Sequence, residues 1–185
     1  MSMQITDMQS GETGIEGLLV ITLKQVSDER GTVREFFRAS ALGDFGPMRQ
    51  INVTESGYGA VRGLHGESTT KLVGCIAGEA FGAYLDTRPD SASYGKLVTV
   101  ELRSGTQVLV PAGVCNGFQS VSRGGSQYLY VFTDEWYPGM PGTAFSPLDE
   151  GLGFSWPIPV DAGDPAQISA KDATAPKFSE QSVSG

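Results

Sequence analysis

Histidine is almost absent from this chain: His65 is the one imidazole in 185 residues. Small β-barrel sites for iron, manganese or zinc take two or three histidines, so that chemistry is not expected here. The two cysteines, Cys75 and Cys115, lack the paired spacing of a thiolate zinc site. No metal is expected. Positive charge is scarce too, with 13 Lys plus Arg against 21 Asp plus Glu and a net charge of -8. An acidic surface argues against nucleic acid and against an anionic membrane, since both are bound through a basic face. A phosphorylated small molecule stays open, because a few local Arg or Lys groups suffice to hold one. No apolar run is long enough to span a bilayer, and no apolar leader follows Met1. A cytoplasmic location is expected. The cysteines lie in apolar, strand-like runs and read as buried free thiols in a reducing compartment, with a disulfide the less favoured reading.

What the chain does have is turn formers. Its 25 glycines and 10 prolines break the sequence into short apolar segments, which points to an all-β fold of one domain. Residues 1–13 are polar and are expected to be a flexible arm, with the domain over 14–177 and a frayed tail over 178–185. Leu18–Leu23 reads as a buried strand, and Arg34–Arg38 as strand in preference to helix. One helical turn is expected between Ala41 and Pro47. Arg49–Thr54 alternates, with Gln50, Asn52 and Thr54 on one face and Ile51 and Val53 on the other. Strands are also expected at Leu72–Ile76, Phe81–Leu85, Val114–Val121 and Tyr128–Thr133. A hairpin is expected around Ser104-Gly105, joining Lys96–Leu102 to Gln107–Val110. Strands of five to eight residues between regular turn signals imply a sandwich or barrel. Ser169–Pro176 reads as a short helical turn.

The chain is organised around Gly59-Ala-Val-Arg-Gly-Leu-His-Gly-Glu-Ser-Thr-Thr-Lys-Leu-Val73. Strict alternation would put Arg62 and His65 on opposite faces of a strand. A twist, or a bulge at Gly63, would bring both to one cavity. Otherwise His65 is a hydrogen-bonded core histidine.

Several fragments, in order, together resemble the dTDP-4-dehydrorhamnose 3,5-epimerase family. They are Asp28-Glu-Arg-Gly31 with Glu35, Gln50-Ile-Asn52, Val61-Arg-Gly-Leu-His65, Lys71-Leu-Val73, Leu85-Asp-Thr-Arg88 and Ser93-Tyr-Gly95. Val110-Pro-Ala-Gly113, Gly117-Phe118, Tyr130, Trp156-Pro157 and Ser169-Ala-Lys-Asp172 complete the set. The resemblance implies a cupin-like jelly roll, or double-stranded β-barrel, with a short C-terminal helical or irregular segment. It implies a homodimer acting on a nucleotide-diphosphate sugar, dTDP-linked by preference, of the 4-keto-6-deoxy type, without metal or cofactor. A hydrogen beside a ketone can be removed by a placed base if the enolate oxygen is stabilised. In the family pattern His65 is that base, Asp172 its acidic partner, Lys71 the cation facing the ketone oxygen, and Tyr130 the acid on the opposite sugar face. Arg62 matches the pyrophosphate contact, with Lys171 beside it. Arg30, Glu35, Gln50 and Asn52 match the nucleotide and sugar site. Taken singly, Asp172 would be a solvated acid, Tyr130 sheet filler and Lys71 a snorkelling edge residue. Arg30 would be a turn residue, Glu35 a solvated charge, and Gln50 with Asn52 a polar outer face.

The chain departs from the family pattern at the pocket walls. The stretch from His65 to Lys71 is shortened and lacks the usual glutamine and proline, and Asn116 stands in place of a second histidine. Trp136 replaces a common tyrosine, and Val33 an aromatic beside the nucleotide base. A 3,4-ketoisomerase on a related scaffold and a non-catalytic sugar-nucleotide-binding cupin are the competing readings. The Val-Arg-Gly-Leu-His and Lys-Asp pairing favours an epimerase.

Overall fold

In this computed structural model, residues 3–43 and 45–181 are described. Two antiparallel sheets face each other. The six-stranded sheet runs in the order β2 (Gln9–Glu12), β3 (Leu19–Thr22), β11 (Thr106–Val110), β8 (Lys71–Ala77), β13 (Ser126–Phe132), β6 (Gln50–Ser56). The five-stranded sheet runs β10 (Leu97–Arg103), β9 (Glu79–Asp86), β12 (Val114–Ser120), β7 (Val61–Glu67), β14 (Gly142–Ala144). Between β7 and β14 the chain repeatedly passes from one sheet to the other, which is the winding of a jelly roll. A third, three-stranded sheet joins β1 (Gln4–Thr6), β4 (Gln25–Asp28) and β5 (Gly31–Arg34).

Alternation assigns the faces. Val73 and Cys75 of β8, Tyr128 of β13, Tyr84 of β9 and Phe118 of β12 point between the sheets and are buried there. Leu72 and Val131, one step out of phase, pack outward under the segment that carries Phe36, Phe37 and Phe45. Leu64, Leu85 and Cys115 on the far side of the five-stranded sheet are covered by Phe145 and Phe178. Both cysteines are free and buried, and burial pushes the Cys75 thiol up to about 11. Among the described residues no helix is long and apolar enough to cross a membrane.

Four local expectations are corrected. Residues 4–12 are not a loose arm: β1 pairs with β4, and β2 adds to β3. Polar side chains hid these strands, because an edge strand with exposed faces needs no apolar alternation. Strand β5 stops at Arg34, and Glu35–Arg38 is irregular, followed by a single 3-10 turn over Ala39–Ala41. Phe36 and Phe37 there serve as a cover for the sheet. Strands β10 and β11 do not form a hairpin. β10 pairs with β9 and β11 with β3 and β8, so Ser104-Gly105 is a corner between sheets. Both strands are apolar toward the same core, and sandwich corners and hairpins look alike in sequence. Phe178–Gln181, expected to fray, is a helical turn whose Phe178 is buried; residues 182–185 lie outside the described residues.

Candidate active site

The strand β7 makes the site. Its register against β12 slips between Asn116, opposite His65, and Phe118, opposite Arg62. Three steps on β7 therefore match two on β12, a bulge at Gly63-Leu64 that turns Arg62 and His65 to the same side. Only glycine fits at position 63. Its φ is +127°, and a Cβ there would fall on the backbone of Gly117. Beyond the bulge, alternation resumes and puts Glu67 on the face of His65.

A cavity of about 480 Å³ opens on that face, in the size range of small-molecule sites. β7 contributes Arg62, His65 and Glu67, β6 contributes Asn52 and Thr54, and β13 contributes Tyr130 and Phe132. Trp136 stands at one side, and the C-terminal segment closes another with Gln167, Lys171 and Asp172. That segment is stitched to the sheet by its backbone: Val61 N donates to Gln167 O over 2.7 Å, and Ile158 N donates to the Gln119 amide oxygen over 2.9 Å. The short helix α1 (Ala170–Ala173) follows, with the Ser169 hydroxyl accepting from Asp172 N at its start.

These ties bring Asp172 to His65. Asp172 Oδ1 lies 2.8 Å from His65 Nε2, and its other oxygen accepts from Gly63 N at 3.5 Å. Burial alone would raise the Asp172 carboxyl. The hydrogen bond and charge of His65, with the Gly63 and Ser169 contacts, outweigh it and hold the group below its ordinary value. An ionised Asp172 accepts a hydrogen bond from Nε2–H, which leaves Nδ1 with its lone pair. Tyr130 lies in a row of inward rings, 4.9 Å from Tyr128 and 5.9 Å from Phe132 between centroids. Burial raises its phenol well above the ordinary value, Arg62 pulls it back, and Glu67 and Tyr84 add to the rise. It is therefore protonated at neutral pH. Arg62 Nε donates to Ser56 Oγ at 3.1 Å, which fixes the guanidinium at the wall. Gln50 stands just outside the lining, where its amide donates to Asn52 Oδ1 at 3.0 Å and accepts from Trp136 N at 2.8 Å.

Other residues expected at the site stand elsewhere. Lys71 and Asn116 are buried behind the cavity wall, not in it. The Lys71 ammonium donates to Glu67 Oε2, to Asn116 Oδ1 and to His65 O. Arg30 is exposed on the β4–β5 turn, bonded to Asp28. Glu35 pairs with Arg38 and Lys24. Both belong to the three-stranded sheet and the segment leaving it, outside the cavity of their own chain. Val33 is on the same sheet and is 74% exposed. The residue the sequence reading missed is Glu67. The signal was present: it sits two residues past His65, on the same strand face, and four before Lys71.

The profile of the dTDP-4-dehydrorhamnose 3,5-epimerase family matches residues 12–180. The chain belongs to that family. It is an epimerase, an isomerase by reaction class. The Salmonella typhimurium dTDP-4-dehydrorhamnose 3,5-epimerase is 32% identical over 175 residues, 89% of this chain and 92% of that protein. A Mycobacterium tuberculosis member of the same name is 31% identical, over 96% of this chain and 91% of its own. Among solved structures, the Legionella pneumophila RmlC in complex with dTDP-4-keto-L-rhamnose superposes with a TM-score of 0.82 at 33% identity, covering 92% of this chain and 93% of that one. NovW, a 4-keto-6-deoxy sugar epimerase of Streptomyces spheroides, gives 0.86 at 26% identity, covering 98% and 93%. The cupin-like jelly roll expected from the sequence is the fold of this family.

Proposed function

We propose that the chain epimerises a dTDP-linked 4-keto-6-deoxy sugar, with His65 removing a proton beside the ketone and Tyr130 returning one from the opposite face. The observation that carries this reading is the His65–Asp172 pair, 2.8 Å apart, sharing one cavity with a protonated Tyr130. Asp172 keeps His65 in the tautomer whose Nδ1 is free and stabilises the imidazolium once the proton has moved. Inversion requires a second acid on the other side, because a single base handing back its own proton restores the starting configuration. Arg62 and Lys171 supply positive charge at the rim for the pyrophosphate. The dTDP-sugar assignment is supported by the ligand of the Legionella pneumophila relative. The cavity chemistry itself calls on no cofactor.

The working unit in this reading is a homodimer. Ile5 and Val33 of the three-stranded sheet, 62% and 74% exposed, and Ile51 and Val53 of the edge strand β6 leave apolar surface that a second copy would cover. Two buried free thiols suit a reducing, cytoplasmic setting.

The test is solvent deuterium incorporation followed by NMR on dTDP- and GDP-linked 4-keto sugars, with His65→Ala as control. Label at C3, C5 or both, absent in the control, is expected, together with inverted product. Binding without label on any substrate would leave a sugar-nucleotide-binding protein instead.

A further inference from the structure

We propose that Glu67 is a substrate-contacting specificity residue, whose carboxylate accepts a hydrogen bond from a ring hydroxyl of the sugar. The inference rests on the epimerase reading above and adds a selection rule to it.

Three observations point to Glu67. Its side chain lines the cavity and keeps 22% exposure, while Lys71, to which it is paired, keeps 1%. The ammonium of Lys71 has three N–H bonds, and Glu67, Asn116 and the His65 carbonyl take them. The cation is thus sealed behind the wall, and the group presented to a ligand is the carboxylate. The pairing uses Oε2 alone; Oε1 takes no hydrogen bond from the described residues. The other acid of the cavity, Asp172, is already engaged through both oxygens by His65 and Gly63. Glu67 is the carboxylate that keeps a whole oxygen, Oε1, open toward a ligand.

Charge says which part of the ligand that is. A pyrophosphate is repelled by a carboxylate and attracted to Arg62 and Lys171. On β7, Arg62 and Glu67 are five residues apart, on the order of 15 Å at ordinary strand rise, with His65 between them. A diphosphate at Arg62 therefore puts the hexose over His65 and its far edge at Glu67. There, the neutral donors a 4-keto-6-deoxy hexose offers are its hydroxyls. A mere counterion for Lys71 has no need to line the cavity or to keep an oxygen open. A hydroxyl donor accounts for both, since an ionised acceptor forms the stronger class of hydrogen bond. A site that holds a substrate hydroxyl in this way rejects the analogue lacking it far more strongly than a hydrophobic pocket rejects a missing methylene.

The experiment compares total deuterium exchange beside the ketone for the 4-keto-6-deoxy nucleotide sugar and for its 2-deoxy and 3-deoxy analogues. Wild type and Glu67→Gln are measured side by side. In the variant the amide oxygen is claimed by Lys71, so an N–H faces the cavity and the acceptor is lost. The expected result is a wild-type kcat/KM at least about 100-fold lower for one deoxy analogue, a ratio that Glu67→Gln reduces about tenfold or more. If Glu67→Gln does not fold, Glu67→Asp, which keeps the charge but withdraws it by one methylene, must reduce the same ratio. Equal wild-type rates on all three sugars, or a ratio unchanged in the folded variant, would overturn the proposal. An absence of exchange on every sugar by the wild type would instead sink the epimerase reading itself.

Discussion

His65 Nε2 and Asp172 Oδ1 lie 2.8 Å apart although 107 positions separate them in the chain. Asp172 is 7% exposed, and the Ser169 hydroxyl and the Gly63 N–H fix it from either side. The pair gives the first prediction. Asp172→Asn keeps the shape and the Ser169 bond but removes the charge that sets the His65 tautomer. Deuterium exchange into substrate should fall by about 10²–10⁴, with the circular dichroism spectrum unchanged. Exchange within threefold of wild type would mean that Asp172 has only a packing role.

Tyr130 is separable from His65 by a different readout. In the proposed mechanism, Tyr130→Phe leaves the base intact and removes the proton for the opposite face. Exchange beside the ketone should persist within about tenfold, whereas inverted product should disappear from the NMR spectrum. Normal inversion in this variant would assign the second proton to another group.

The Gly63 bulge predicts a stability effect at a position outside the cavity lining. Gly63→Ala must relieve a contact with the Gly117 backbone and hold a φ of +127° that alanine avoids. A loss of about 3 kcal/mol or more is expected, seen as a lowered urea midpoint. Gly11, beside which an added Cβ meets nothing, is the control.

Asp86 predicts the acid limit of the fold. Fully buried, it would be raised by desolvation, but hydrogen bonds from Arg88, Ser91 and Ser93 prevail and hold it well below the carboxylate range. A depressed folded value contributes stability above the unfolded pKa of about 3.9 and loses it as pH falls toward the folded one. The urea midpoint of the wild type should therefore drop steeply from about pH 4 downward. Asp86→Asn should be less stable by about 3 kcal/mol at pH 7 and flatter with pH. A parallel acid profile in both proteins would remove Asp86 as the cause.

Alternation and turn residues determined much of this protein locally. They carry β3 and β6 to β13 but not the short β4, β5 and β14, and they carry the burial of Cys75 and Cys115 and the ordered set of fragments that resembles its family. Both are properties of near neighbours, and side-chain period and backbone freedom are encoded there. Even the bulge was legible, because a glycine between Arg62 and His65 is where a strand can slip. Tertiary structure decided what depends on which strands meet. Ser104-Gly105 is a corner and not a hairpin because β11 finds its partners in β3 and β8. Residues 4–12 are strands because open edges accept them, with no apolar pattern required. Asp172 reaches His65 because residues 158–169 are pinned to the sheet by a backbone bond from Val61 to Gln167 and by the Gln119 side-chain amide at Ile158, contacts between residues far apart in the chain. Lys71 stays out of the cavity lining through contacts of the same long-range kind. Its phase points it inward with Val73 and Phe132, but Glu67 and Asn116 on two other strands take its charge behind the wall. One sequence can state which groups it owns; the sheet register decides which of them face the substrate.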